Sequence, residues 1–192
     1  MGKELELKFA ATGCVLEQLR SEIPGRETQY QMQTTYYDTP QGELSHRRCT
    51  LRCRLENGQS VCTLKTPVSD TERGEFDVAD ATIYEAIAHL AEASGMKDLI
   101  EIAGELIPVC GARFQRIAKE IIGDGFVAEL ALDQGVLLGG GKEIPLCEAE
   151  LEYKAGDEGL FLAYATAFAA KYDLPTEKLS KFARAAALAK GE

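Results

Sequence analysis

The chain has 192 residues, the size of one domain, and can bury a core without disulfide staples. Lys plus Arg number 21 against 31 Asp plus Glu, and the net charge of -10 repels nucleic-acid backbones and anionic membrane surfaces, so a polyanionic ligand must be met by a local basic cluster. The cysteines (Cys14, Cys49, Cys53, Cys62, Cys110 and Cys147) lie in apolar segments with no C-x-x-C pair, which argues against zinc and for reduced, buried thiols. No apolar leader opens the sequence and no run approaches a membrane-spanning length, so a soluble, cytoplasmic protein is expected.

Residues 3–9 alternate charged and apolar with period two, which predicts a strand with Glu4, Glu6 and Lys8 on one face and Leu5, Leu7 and Phe9 on the other. A short helix over 13–22 ends before Pro24, and 28–37 reads as a second strand, closed by Asp38-Thr39-Pro40 and followed by a turn or short helix through Leu44. Asn57-Gly58 is a tight-turn signal between strands 48–55 and 60–66, and a further strand follows at about 73–79. Apolar residues at helical spacing predict helices over 82–95 and 98–106, separated by Gly95 and stopped by Pro108. Strands resume at about 111–122, 126–132 and 144–153, and helices over about 157–172 and 178–189 close the chain. Hairpin-connected strands with flanking helices give a mainly β, α+β fold class and favour a closed or nearly closed antiparallel barrel of about eight strands over a parallel sheet.

Several strands carry charge on one face only. Arg52 and Arg54 oppose Leu51, Cys53 and Leu55; Thr63 and Lys65 oppose Cys62 and Leu64; Glu148, Glu150 and Glu152 oppose Ala149, Leu151 and Tyr153. A single strand of this kind also describes a sheet with one wet face. Here, however, the charged faces sort by sign, with carboxylates on the last strand, carboxylates plus Lys8 on the first, and Arg or Lys on the middle ones. If the helices cover the apolar faces, the charges share a lumen, where they need a ligand and ions. Carboxylate pairs suit hard divalent cations such as Mg²⁺ or Mn²⁺, while Arg and Lys suit phosphate oxygens.

Glu4-Leu5-Glu6-Leu7-Lys8 resembles the E-x-E-x-K signature of the CYTH superfamily, the triphosphate tunnel metalloenzymes. The same order continues through Tyr36-Tyr37-Asp38-Thr39-Pro40, Leu51-Arg52-Cys53-Arg54, Leu64-Lys65, Arg73-Gly74-Glu75, Phe114-Gln115-Arg116, Glu129, Glu148-Ala149-Glu150 and Leu179-Ser180-Lys181-Phe182-Ala183-Arg184, over nearly the whole chain. The resemblance is greatest to the inorganic triphosphatase branch. It implies one tunnel domain over 1–192, with Glu4, Glu6, Glu148 and Glu150 binding the metals, two per site, and Lys8, Arg52, Arg54, Lys65 and Arg116 gripping the triphosphate. Lys181, with Arg184, would sit on a C-terminal plug helix at one tunnel mouth, and Glu4, Glu6, Lys8 and Lys181 would carry catalysis. Arg73, Glu75, Glu129 and Glu152 rank second, as ion-pair partners before ligands. Where relatives carry a second basic residue two positions after Arg116, this chain has Ala118 and then Lys119, which strand parity points out of the lumen.

The implied reaction is metal-dependent attack of water on the terminal phosphorus of inorganic triphosphate. An adenylate cyclase of the same superfamily, a thiamine triphosphatase, and a binding module for polyphosphate or nucleotide are the competing readings, and a homodimer is the assembly that the resemblance suggests. Gly139-Gly140-Gly141-Lys142 lacks P-loop spacing and reads as a turn, while His46 and His89 read as surface or packing residues. Tyr36 and Tyr37 alternate faces and read as core.

Overall fold

The computed structural model describes residues 5–68, 73–79 and 81–191. Its strands are β1 (Glu6–Ala10), β2 (Glu27–Asp38), β3 (Thr50–Glu56), β4 (Gln59–Pro67), β5 (Arg73–Ala79), β6 (Ile107–Ile122), β7 (Phe126–Gly139) and β8 (Lys142–Gly156). The helices are α1 (Gly13–Glu22), α2 (Glu43–His46), α3 (Ile83–Ser94), α4 (Leu99–Ile102), α5 (Glu158–Lys171) and α6 (Lys181–Lys190). All strand pairings are antiparallel, in one sheet of order β1-β8-β7-β6-β2-β3-β4-β5.

The sheet is a strongly curled half-barrel and not the closed barrel expected from the sequence. Closure would require β1 to pair with β5, but another segment holds the outer edge of β1. Ala10 N donates to Pro175 O at 2.9 Å, Glu177 N donates to Lys8 O at 2.8 Å, and Phe9 bridges to Thr176. An edge satisfied by the approach to α6 has no ladder left to offer β5.

Local chemistry accounts for most boundaries. The Thr12 hydroxyl caps α1 by accepting from Val15 N, and Thr82 with Glu85 forms a capping box that opens α3. Asn57 and Gly58 both have positive φ in the β3–β4 turn. Gly140 and Gly141 adopt the same geometry, so β7 and β8 run through the glycine-rich segment as one long hairpin, further than the periodicity suggested. The helix expected over 98–106 shrinks to α4 and a 3₁₀ turn, because β6 starts at Ile107 and runs straight through Pro108. The last helix begins at Lys181 and not at 178, since the preceding residues are spent on the β1 edge and Ser180 caps it by accepting from Ala183 N.

On the convex side, α1 and α5 cover β1, β8, β7 and β6, with Phe9, Leu19, Leu130, Leu151, Phe161 and Phe168 at the centre of that layer. The remaining convex strands are covered by α2, α3 and α4 through Leu44, Leu51, Leu64, Leu90 and Leu99. Each such side chain contributes about 1.5–3 kcal/mol by leaving water. The concave face carries an apolar patch where α6 lies on it, through Phe182, Ala185, Ala186 and Ala189 against Tyr36, Phe114, Leu137 and Leu146. A Cβ on Gly139 would stand 2.4 Å from Ala185 O, so only glycine lets the α6 backbone sit this close to β7. Three cysteines, Cys14, Cys53 and Cys147, are not buried, contrary to expectation; all six thiols are free.

Candidate active site

Strand parity and register bring the concave charges together. Lys8 pairs with Glu150 across β1 and β8, Asp133 with Glu148 across β7 and β8, and Arg116 with Asp133 across β6 and β7, so alternate residues of four strands share one surface. Asp133, Glu148 and Glu150 are buried, and one carboxylate oxygen from each lies within 4.8 Å of the others. Three cations face them. Arg116 grips Asp133 with two bonds of 2.7 Å and reaches Glu150 at 2.5 Å. Lys181 Nζ lies 2.8 Å from Asp133 and 2.7 Å from Glu150 and also donates to Glu148, while Arg184 donates to Glu148 and lies 3.5 Å from Glu177.

Burial and like-charge contact split the two glutamates. Burial pushes the Glu148 carboxyl above the usual carboxylate range, with Lys181 offsetting part of the rise. At Glu150 the cost of burial is outweighed by Lys181 and Arg116, which hold it well below that range. Lys181 is raised: burial works against its ammonium, and Asp133, Glu150 and Glu148 overcome it.

The other half of the concave face is basic and more loosely tied. Arg52 meets Glu75 at 3.3 Å, Lys65 meets Glu75 at 3.1 Å, and Arg54 reaches Thr34 and Glu56 at 3.4 Å each. Burial and the neighbouring guanidiniums of Arg52 and Arg116 push Arg54 below the usual arginine value. The Nε of Arg52 is buried without a hydrogen-bond partner. A cavity of about 130 Å³ opens here, lined by Arg52, Arg54, Glu56, Val61, Thr63, Glu75 and Asp77.

The remaining sequence candidates fall around these clusters. Glu6 shares the face, lies 4.0 Å from Lys8 and raises Arg116 through its charge, but among the described residues it is not one of the three clustered carboxylates. Glu152 stands opposite Glu6 and Glu129 and pairs with Lys154 at 2.7 Å. Glu4 and the Arg73 side chain lie outside the described residues. Lys119 points away from the lumen, donating to the Arg20 and Ile23 carbonyls at the end of α1, while Ala118 faces inward. Tyr36 is buried against Phe182 at 5.1 Å, and Tyr37 packs on the convex side.

Asp133 is the residue that sequence reasoning missed. Periodicity ends that strand at 132; carried one residue further, alternation puts Asp133 on the same face as Glu129, and the hairpin register sets it opposite Glu148. A buried carboxylate trio is an oxygen donor set suited to a hard divalent cation, so the residues fit a metal of that kind.

Comparison with known proteins places this arrangement. Residues 2–186 match the CYTH domain. The inorganic triphosphatase of Haemophilus influenzae is 30% identical over 166 residues, covering 82% of this chain and 47% of that protein, so the chain spans about half the length of the curated relative it matches. Among solved structures, a Hippeastrum protein proposed as an adenylyl cyclase and described as having a dominant triphosphatase activity shares the fold, with TM-score 0.65 and 19% identity over 100% of this chain and 97% of that one. The PH1819 protein of Pyrococcus horikoshii shares it too, with TM-score 0.64 and 18% identity over 98% and 99% of the two chains. A domain match over nearly the whole sequence, on a curled antiparallel sheet whose concave face collects carboxylates and cations, shows that the chain belongs to the CYTH family.

Proposed function

We propose that this chain is a metal-dependent hydrolase that cleaves inorganic triphosphate to pyrophosphate and phosphate on the concave face of the sheet. The observation that carries the reading is the position of Arg54, buried among like charges from Arg52 and Arg116 and facing a cavity. Mutually repelling guanidiniums are stabilised by an anion of high charge density, and a triphosphate supplies it. The name of the Haemophilus relative supports the same substrate.

In this reading Arg52, Arg54, Lys65 and Arg116 bind the phosphate chain, with Glu75 trimming that basic half and Arg73 adding to it. Asp133, Glu148 and Glu150 would hold a divalent cation, Mg²⁺ or Mn²⁺, and Glu6 on the neighbouring strand, together with Glu4, would hold a second, with Glu129 and Glu152 next to Glu6 in the ladder. When bound, such a cation neutralises phosphate oxygens and makes water a better nucleophile at neutral pH. The fixed donors of Arg54 and Arg116 stay in place while charge builds on the leaving oxygen, and no covalent intermediate with the protein is required. Lys8, Lys181 and Arg184 complete the cation set, with α6 acting as the plug at one end of the face.

The test is phosphate release from inorganic triphosphate, ATP and thiamine triphosphate, each with Mg²⁺, Mn²⁺ or EDTA, with cAMP and pyrophosphate followed in the ATP samples. EDTA-sensitive release from inorganic triphosphate above the other substrates is the expected result. Formation of cAMP with pyrophosphate, or tight triphosphate binding without turnover, would overturn it.

A further inference from the structure

The ammonium of Lys181 has three protons and faces three carboxylates, touching Asp133 at 2.8 Å, Glu150 at 2.7 Å, and Glu148. These are the same three groups whose oxygens cluster within 4.8 Å, so the lysine fills the seat that a cation would take. The surrounding charge is close to balanced, with Arg116, Lys181 and Arg184 set against Asp133, Glu148, Glu150 and, at Arg184, Glu177. A divalent ion added to that set would leave excess positive charge in a buried site, which is costly.

We propose that Lys181 is a tethered competitor of the divalent cation: ammonium and metal take turns in one seat, and metal entry drives the lysine out of it. This inference rests on the metal reading above and adds a regulation of that site. The way out is short. Lys181 is the first residue of α6, its stem has four flexible carbons, and the helix is anchored further along by Ala185 and Ala189 over Gly139, so the ammonium can swing clear while the helix stays seated. Once released, it is free to meet the negative charge that a triphosphate brings, so metal and triphosphate should bind together far better than metal alone.

Two measurements on the full chain test this, and neither uses turnover. The first compares Mn²⁺ binding to the wild type and to Lys181→Met by calorimetry without triphosphate. The methionine stem has an apolar neighbour in Phe114, whose ring lies 5.3 Å from the lysine nitrogen. The variant should bind about tenfold tighter, equivalent to about 1.4 kcal/mol. The second needs no variant: acylation of wild-type lysines is quantified by mass spectrometry with and without saturating Mg²⁺. Lys181 is 8% exposed and should be protected without the ion and labelled with it, while exposed Lys142 and Lys178 serve as internal references. Equal or weaker Mn²⁺ binding by Lys181→Met, or Lys181 labelling unmoved by Mg²⁺ that is shown to bind, overturns the competition and leaves the metal site standing. Absence of Mn²⁺ binding in wild type, Lys181→Met and Glu148→Gln alike overturns the metal reading itself, and the competition with it.

Discussion

The concave face is built in two halves that treat charge differently. Around β6, β7, β8 and α6 every cation lies against a carboxylate, with Arg116 bidentate on Asp133 at 2.7 Å and Lys181 shared among three acids. Across β3, β4 and β5 the contacts lengthen to 3.1–3.4 Å and Arg54 feels the repulsion of Arg52 and Arg116. The first half is balanced and contributes to the fold. The second pairs its cations with Glu56 and Glu75 at longer range and keeps Arg54 beside like charges, the arrangement proposed above as the receptor for a mobile anion.

Substitutions that separate stability from binding sharpen this contrast. The largest effect is expected from Asp133→Asn, because Asp133 is 0% exposed and its loss leaves Arg116 and Lys181 facing a neutral amide. Breaking a buried pair on one side costs about 3–5 kcal/mol, to be read from chemical denaturation. Arg54→Ala should behave in the opposite way. Removal of a donor to the phosphate chain should lower kcat/KM for triphosphate by about 10²–10³-fold, while the melting temperature holds or rises because a repelled buried cation is gone. A drop in stability like that of Asp133→Asn would mean that the two halves do not differ. Lys119→Met is the control on the convex side: it should cost about 1.5–3 kcal/mol, because Lys119 caps the carbonyls at the end of α1, and leave the KM for triphosphate unchanged.

What could be read in the sequence was which face a residue takes, since alternation along a strand is local. Arg52, Arg54, Lys65, Glu148 and Glu150 were placed on one surface that way, and the Asn57-Gly58 turn set the β3–β4 register. What could not be read was which distant segment satisfies an edge. The pairing of Pro175–Glu177 with β1, which leaves the sheet open, joins residues far apart in the chain and has no periodic signature. The same limit hid the place of Asp133 in the cluster: periodicity ends its strand one residue earlier, and its partners Arg116 and Lys181 arrive from another strand and from α6. The inward Ala118 and the outward turn of Lys119 were legible, although not the helix end that Lys119 caps.

The smallest expected effect is one of pH, and it probes the balanced half from the acid side. Glu150 has its folded-state carboxyl held well below the ordinary value of 4.5, with Lys181 and Arg116 overcoming the cost of burial. The unfolded chain therefore takes up that proton more readily than the folded one. The stability that Glu150 contributes is present in full above the ordinary carboxylate range and is lost as the pH falls through the lowered value. Glu148 works the other way, since burial raises it and its protonation on acidification relieves a cost. Melting temperatures of the wild type and Glu150→Gln, followed from pH 7 down to about pH 3, should thus lie furthest apart near neutrality and converge in acid. A constant separation across that range would mean that the lysine and arginine do not depress this carboxyl, and the balance of charge around the carboxylate trio would have to be redrawn.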